Sequence, residues 1–209
     1  MKRILTLFLS IVMCIGMTAC GSKPKNKYEE YVLSFVQDFQ TQNFDAMYKL
    51  TNDQYPYFQG MYKPDEENNV KLFKAMAKNL KCEIVESSEN DNEATVKAHI
   101  TTLDFAKIMS NISSRLMVEY MTPGNTGKDM DKVFSGIIDD EIKHADKKES
   151  DTVFNFVKDK KGNWTLDSNV AIYDDICGGY LQYYFQQNTL GKYANEIKEK
   201  QQSETTTQN

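Results

Sequence analysis

The stretch Glu93–Thr101, "EATVKAHIT", decides the fold class of this chain. Apolar residues alternate with polar ones along it, and this period of two is typical of a strand with one buried face. The apolar set is Ala94, Val96, Ala98 and Ile100. Because a segment with Cys82 and Ile84 and then a polar turn, "SSENDN", come before it, residues 81–102 are predicted to form an antiparallel hairpin.

Helical periodicity lies on both sides of this hairpin. An amphipathic helix with an aromatic face is predicted over 28–39, a short helix over 44–50 follows Asn43 as its N-cap, and a third helix ends near Leu80. Two helices are predicted within 104–148, then strands over 151–158 and 163–168 and one helix over 171–187. Short turns cannot join parallel strands, so the pattern predicts an α+β fold with an antiparallel sheet packed on the N-terminal helices.

Three segments of this pattern carry a resemblance to a known group. They are "VLSFVQDFQTQNFDAMYKLT" (32–51), "LFKAMAKNLKCEIVESSENDNEATVKAHIT" (72–101) and "FVKDKKGNWTLDSN" (156–169). With them, residues 28 to 170 resemble the NTF2-like (cystatin-like α+β) lipoproteins of Gram-positive bacteria, a mostly uncharacterised family. The resemblance implies a curved sheet that wraps a long helix and encloses a cone-shaped cavity. The helical insertion 104–148, between the two hairpins, departs from it, since simpler members have a short connection there.

The N-terminal residues have the layout of an export signal. Lys2 and Arg3 precede an uncharged run from Ile4 to Ala19, which is too short for a typical membrane-spanning helix. The run ends in "IGMTACG" (15–21), which resembles the lipobox of bacterial lipoproteins, although Met17 stands where leucine is most common. That resemblance implies removal of residues 1–19 and acylation of Cys20. The alternative is an ordinary signal peptide in which Cys20 has no role.

These boundaries predict where the chain works. Residues 20–27 are predicted to form a tether whose Lys23, Lys25 and Lys27 lie where anionic headgroups could attract them. Residues 28–190 are predicted to form the domain, and 191–209 a polar, partly disordered tail. Two acyl chains hold a protein at a bilayer, because each buried CH₂ contributes about 0.8 kcal/mol. The predicted location is therefore the extracytoplasmic face of the cell membrane, with membrane lipid as the first partner.

Charge and cysteine content narrow the remaining partners. Without residues 1–19 the chain has 25 − 2 = 23 basic against 30 acidic side chains, a net charge of −7 that argues against nucleic acid. Cys82 and Cys177 are the cysteines within the predicted domain. They either form a disulfide or pack as two buried thiols, and the sequence leaves both alternatives open.

No catalytic signature is complete in this sequence. "GNTGKD" (124–129) has the wrong glycine spacing for a phosphate loop and predicts a turn between helices. Glu141 and His144, beside Asp140, form one Glu-x-x-His pair where a di-metal helical site needs two. His99 is predicted on the polar face of its strand, and Asp174-Asp175 at the start of a helix. We therefore predict no catalytic residue, no metal and no cofactor.

The loop before the third helix is the strongest binding candidate in the sequence. Its aromatic and apolar residues lack a core period, so they are predicted either to line the rim of a pocket or to pack against the domain's own sheet edge. This candidate rim consists of Tyr55, Tyr57, Phe58, Met61 and Tyr62.

The sequence thus predicts a membrane-anchored, non-catalytic domain that binds a small apolar or envelope-derived ligand or another envelope protein. One rival is a small hydrolase or isomerase that uses a carboxylate inside the cone. The other is an envelope assembly factor recognised through the helical insertion 104–148.

Overall fold

The structure is a computed structural model that describes residues 24–51, 58, 60–158 and 162–188. Cys20, the signal segment and the polar tail 191–209 lie outside the described residues. The described chain has an α+β architecture, as the sequence predicts, in which helices pack on one curved sheet that does not close.

The sheet has four antiparallel strands in the order of the chain. They are β1 (Lys81–Glu89), β2 (Glu93–Leu103), β3 (Lys147–Lys158) and β4 (Trp164–Leu166). Both predicted hairpins are present, and β2 pairs with β3 along its whole length, from Glu93 opposite Val157 to Leu103 opposite Lys147. The alternation that decides the fold class is confirmed, because the apolar set of "EATVKAHIT" is buried.

Three helices precede the sheet, as the sequence predicts: α1 (Lys27–Gln40), α2 (Phe44–Lys49) and α3 (Glu67–Asn79). Asn26 caps α1 by accepting from two backbone N–H groups, and Asn43 caps α2. The buried face of α1 consists of Tyr28, Glu29, Val32, Phe35, Val36 and Phe39. Glu29 is the charged member of this otherwise apolar face.

The predicted insertion consists of two helices, α4 (Phe105–Met121) and α5 (Met130–Lys143). Asp104 caps α4 and Asp129 caps α5 through backbone N–H groups of the first turn. A single 3-10 turn, Asn125–Gly127, lies between them, so "GNTGKD" is the helix-to-helix turn that its spacing predicts. α5 packs against α4 and contacts α3, where Lys71 lies 2.9 Å from Asp139.

The final helical segment differs from the prediction. One helix was expected over 171–187, but the chain forms α6 (Val170–Ile176) and a separate helix, α7, over 180–188. Gly178 and Gly179 break the segment with φ values of 64° and 85°. A Cβ at Gly178 would lie 2.0 Å from the backbone oxygen of Leu103, so only glycine permits this close approach to the junction of β2 and α4.

Aromatic side chains fill the space between the helices and the sheet. Phe35 of α1 contacts Phe154 of β3 and Tyr173 of α6, with ring centroids 6.2 and 5.6 Å apart. The opposite face of the sheet is polar and includes Lys97 and His99. The inner face is therefore the core of the domain.

Candidate functional site

The described residues of the aromatic loop, Phe58, Met61 and Tyr62, pack mainly in the core and not at a binding rim. Phe58 and Met61 are buried, and the Phe58 ring lies 5.2 Å from Phe39 and 5.7 Å from Tyr173. Tyr62 is half-buried, and its hydroxyl donates to Gln42 over 2.8 Å. The predicted rim is corrected at these positions, because the loop supplies rings that complete an aromatic cluster around α1. Tyr55 and Tyr57 lie outside the described residues.

Cys82 and Cys177 are both buried, and in the described structure no disulfide joins them. Of the two alternatives, the structure has buried thiols. Burial raises the pKa of the Cys177 thiol well above its usual value. A thiol in this protonated state is a weak nucleophile.

The two candidate acids at residues 174 and 175 are used as structural hydrogen-bond acceptors. Asp175 accepts from the Thr152 hydroxyl over 2.8 Å, which ties α6 to β3. Asp174 accepts from the backbone N–H of Gln182 over 2.9 Å, in the first turn of α7. Asp174 and Asp175 therefore support α7 and the sheet rather than start a helix as predicted.

His99 lies half-exposed on the polar face of the sheet, as its alternation predicts. Its Nδ1 is 2.8 Å from Asp151 on β3, and Glu149 lies farther away, 3.9 Å from Nε2. The hydrogen bond to Asp151 raises the pKa of the His99 imidazole above its usual value. The His99–Asp151 pair therefore links β2 and β3 on the solvent-exposed face of the sheet.

The Glu-x-x-His pair belongs to an ion-pair network on the outside of the insertion. Glu141 and Asp140 both accept from Arg115 of α4, over 2.8 and 2.6 Å. His144 instead contacts Asp140. Across the described residues, no group of three or more His, Cys, Asp or Glu side chains is placed to hold a metal ion. Among the helices of the described chain, none has the length and apolarity to cross a bilayer.

The last turns of α4 expose four large apolar side chains. Met117 and Val118 are each 64% exposed, Tyr120 is 70% exposed and Met121 is 76% exposed. These are the four most exposed large apolar side chains of the described residues, and they lie within five successive positions. We call this group the α4 patch. By contrast, Val85 on β1 is 63% exposed but lies in a strand among polar neighbours.

A groove of about 290 Å³ lies beside the α4 patch, between α4 and α5. Val118 and Ile137 supply its apolar lining, and Arg115, Glu119 and Ser114 complete it. Its charged groups have partners within the insertion, because Arg115 bonds to α5 and Glu119 accepts from Lys128 over 3.1 Å. The groove thus offers an apolar surface between fixed charges.

The sequence-based prediction misses this patch, although the residues of α4 carry a signal for it. Phe105, Ile108 and Ile112 form the buried stripe of α4. At about 100° per residue, Met117 and Met121 lie roughly opposite this stripe on the same helix. When one face of a helix is buried in the core, a second apolar face on its opposite side is predicted to be exposed to solvent.

Comparison with known proteins identifies no family for this chain. No protein-family model matches it, and no curated protein matches it. Among solved structures, it is similar to RPA3114, a SEC-C motif containing protein from Rhodopseudomonas palustris, with 12% identity and a TM-score of 0.34 over 72% of this chain and 94% of that one. It is also similar to ycdA, a candidate lipoprotein from Bacillus subtilis, with 13% identity and a TM-score of 0.38 over 82% of this chain and 54% of that one.

Neither likeness identifies the fold family or the function of this chain at such TM-scores. The α+β class and the curved antiparallel sheet with its two-helix insertion are confirmed. Membership of the NTF2-like group stays a prediction.

Proposed function

We propose that this protein is a lipoprotein anchored through Cys20 and that its domain binds another envelope protein, without catalysis, through the α4 patch. The observation that carries the proposal is the exposure of the four patch residues at the end of α4. Large contiguous apolar surface is costly to leave in water and marks interaction sites in soluble domains.

The anchor is supported by sequence. Lys2 and Arg3, the uncharged run and "IGMTACG" together have the layout of a lipoprotein signal. The described domain begins within a few residues of Cys20, since α1 starts at Lys27. Lipid supplies the location in this proposal, and the domain supplies the binding surface.

The chemistry of the patch suits a protein partner. Methionine and aromatic residues are enriched at the cores of protein interfaces, and the patch has two methionines and a tyrosine. The groove beside it runs between two helices, which can receive the apolar face of a third helix packed ridge into groove. We therefore assign the partner segment to an amphipathic helix of an envelope protein.

The absence of catalysis is supported by the roles of the candidate groups. Asp174 and Asp175 bond to α7 and β3, and Glu141 pairs with Arg115. A general base must reach a substrate proton, and these carboxylates already accept bonds that hold the fold.

Site-specific photo-crosslinking in cells tests the proposal. A photoreactive phenylalanine analogue replaces Tyr120 in one strain and Val85, a comparably exposed apolar position outside the patch, in the control strain. We expect a discrete protein adduct from position 120 and none from position 85. Adding Val118→Ser and Met121→Ser should remove the adduct without lowering the melting temperature, because both side chains are exposed.

Three outcomes would contradict this function. A dimer of this chain as the adduct would assign the patch to self-association. A small lipid adduct would assign it to an apolar ligand. Equal adducts from positions 120 and 85 would show that the patch has no special role.

A further inference from the structure

A buried carboxylate holds the chain where it enters the domain. Glu29, in the first turn of α1, is 2% exposed. Its Oε2 accepts from the backbone N–H of Lys25 over 2.7 Å, and its Oε1 accepts from the Ser87 hydroxyl on β1, also over 2.7 Å. The Asn26 side chain donates to the same hydroxyl over 2.8 Å. Bonds to a buried charge are strong, so the chain is fixed to the sheet from Lys25 onward.

Neighbouring contacts fix the same junction. The Tyr28 hydroxyl donates to Glu89 over 2.6 Å, and the Tyr28 ring lies edge-on to Trp164 of β4, with centroids 5.1 Å apart. Lys27 lies between these groups, 4.7 Å from the Tyr28 ring and 3.6 Å from Glu89. These contacts hold Lys27 in the domain, so Lys27 is not part of the flexible tether.

The topology places this junction at one end of the sheet. The 90–92 turn lies at that end, and so do the paired ends of β3 and β4, because Glu93 pairs with Val157 and Lys158 pairs with Trp164. We call it the hairpin end. The insertion leaves from the other end, where Leu103 pairs with Lys147. The eleven residues of β2 separate the two ends by about 33 Å at about 3.3 Å per residue.

The remaining tether is short. Five residue steps separate Cys20 from Lys25. A fully extended chain covers at most about 3.4 Å per residue, so the Cα of Cys20 lies within about 17 Å of the fixed junction. This distance is about half the length of the sheet.

Charge does not explain an orientation at this end. Among the described residues at this end, the three cations Lys25, Lys27 and Lys158 are matched by Glu89, Asp91 and Glu93 around the hairpin turn. Exposed charges are also screened beyond about 8 Å at physiological salt. The length of the tether is therefore the stronger constraint.

We infer that the hairpin end of the domain faces the lipid bilayer, held there by the Glu29 network and the short tether from Cys20 to Lys25, and that the opposite end of the sheet, where Leu103 pairs with Lys147, faces outward. The inference rests on the proposed lipid anchor at Cys20. It assigns the hairpin end as the surface beside the membrane.

Energy transfer to headgroup-labelled lipid measures this orientation. The acylated protein is reconstituted in vesicles with one donor dye at Asp91→Cys, in the hairpin turn, or at Lys147→Cys, at the opposite end of the sheet. The Lys147 side chain is exposed, whereas the native Cys82 and Cys177 are buried and do not react with the dye. We expect several-fold greater transfer from position 91 than from position 147, with or without anionic lipid in the vesicles.

A variant with a longer tether is the matched control. Inserting about 20 Gly/Ser residues after Ser22 adds a flexible coil of roughly 25 Å average span, which should remove most of the difference between the two positions. Equal transfer from both positions with the native tether, or greater transfer from position 147, would overturn the inference. Vesicle flotation and the mass of the N-terminal peptide are recorded on the same sample. Protein that neither floats nor carries acyl chains on Cys20 would instead overturn the proposed anchor, and the inference with it.

Discussion

At the hairpin end of the sheet, a buried carboxylate and a network of paired side chains hold the chain that enters α1, whereas in the insertion the last turns of α4 leave four large apolar side chains in water. The first arrangement fixes position, because each polar group at the junction has a partner. The second leaves apolar surface available, because α4 extends beyond the core that buries its first turns. In the proposed function, attachment and binding therefore use separate regions of one domain, and four changes test this contrast.

The largest expected effect is at the junction between the sheet and the insertion. Gly178→Ala should destabilise the fold by more than about 3 kcal/mol, since it combines a left-handed backbone with a Cβ 2.0 Å from the Leu103 oxygen. Gly136→Ala, in α5 with nothing within 4 Å of its Cβ, should instead be neutral or stabilise by about 0.5–1 kcal/mol. Urea unfolding measures both. Equal stability of the two variants would mean that the break at Gly178 does not approach Leu103 as described.

The two faces of α4 should respond very differently to truncation. Ile112→Ala removes a buried side chain and should cost about 2–5 kcal/mol of unfolding free energy. Met117→Ala, on the exposed face, should change it by less than about 0.5 kcal/mol. Thermal unfolding of the two variants gives the comparison. A large cost at Met117 would show that the α4 patch belongs to the core.

The hairpin end should lose stability when its buried charge is removed. Glu29→Gln replaces an acceptor of two bonds with an amide that cannot accept both, at a cost of about 1–3 kcal/mol. The exposed neighbour Glu30→Gln should be nearly neutral. Chemical denaturation measures the cost, and amide exchange at Lys25 should accelerate in the first variant only. Unchanged amide exchange at Lys25 would contradict the hydrogen bond between its backbone N–H and Glu29.

The smallest effect is a pH dependence on the polar face of the sheet. Because Asp151 raises the pKa of His99, the charged pair contributes stability below the unfolded histidine pKa, and this contribution is lost as pH rises through the folded pKa. Asp151→Asn should lower the His99 pKa measured by NMR titration and flatten stability across that range. If the His99 pKa were the same in the Asp151→Asn variant as in the native protein, the pairing of the two side chains would be contradicted.

Much of this fold can be predicted from the hydrophobic periodicity of the sequence and from its helix-capping residues. The alternation in "EATVKAHIT" fixes the buried face of β2, and Asn43 and Asp104 begin helices where their capping chemistry predicts. The break at Gly178-Gly179 is not predictable in the same way. It depends on the approach of Leu103, which lies far away in the sequence.

The site shows the same division. Local composition predicts an aromatic loop, but whether Phe58 is exposed depends on the space that α1 and α6 leave for it. In the sequence Glu29 is an acidic residue in the first turn of a helix, which is an ordinary position for it. Its hydrogen bond from Ser87 could not be predicted, because that bond depends on how β1 packs against α1. Contacts that join distant segments decide which residues are available to a partner.

The most direct test of the central claim compares two variants in the membrane fraction of the same cells. Each carries the photoreactive residue at position 120, with Val118→Ser and Met121→Ser in one and Val85→Ser in the other. The account predicts that both proteins fractionate with the membrane and carry acylated Cys20, and that only the patch variant loses its protein adduct. Retention of the adduct in the patch variant, or its loss in the Val85→Ser control, would contradict the account.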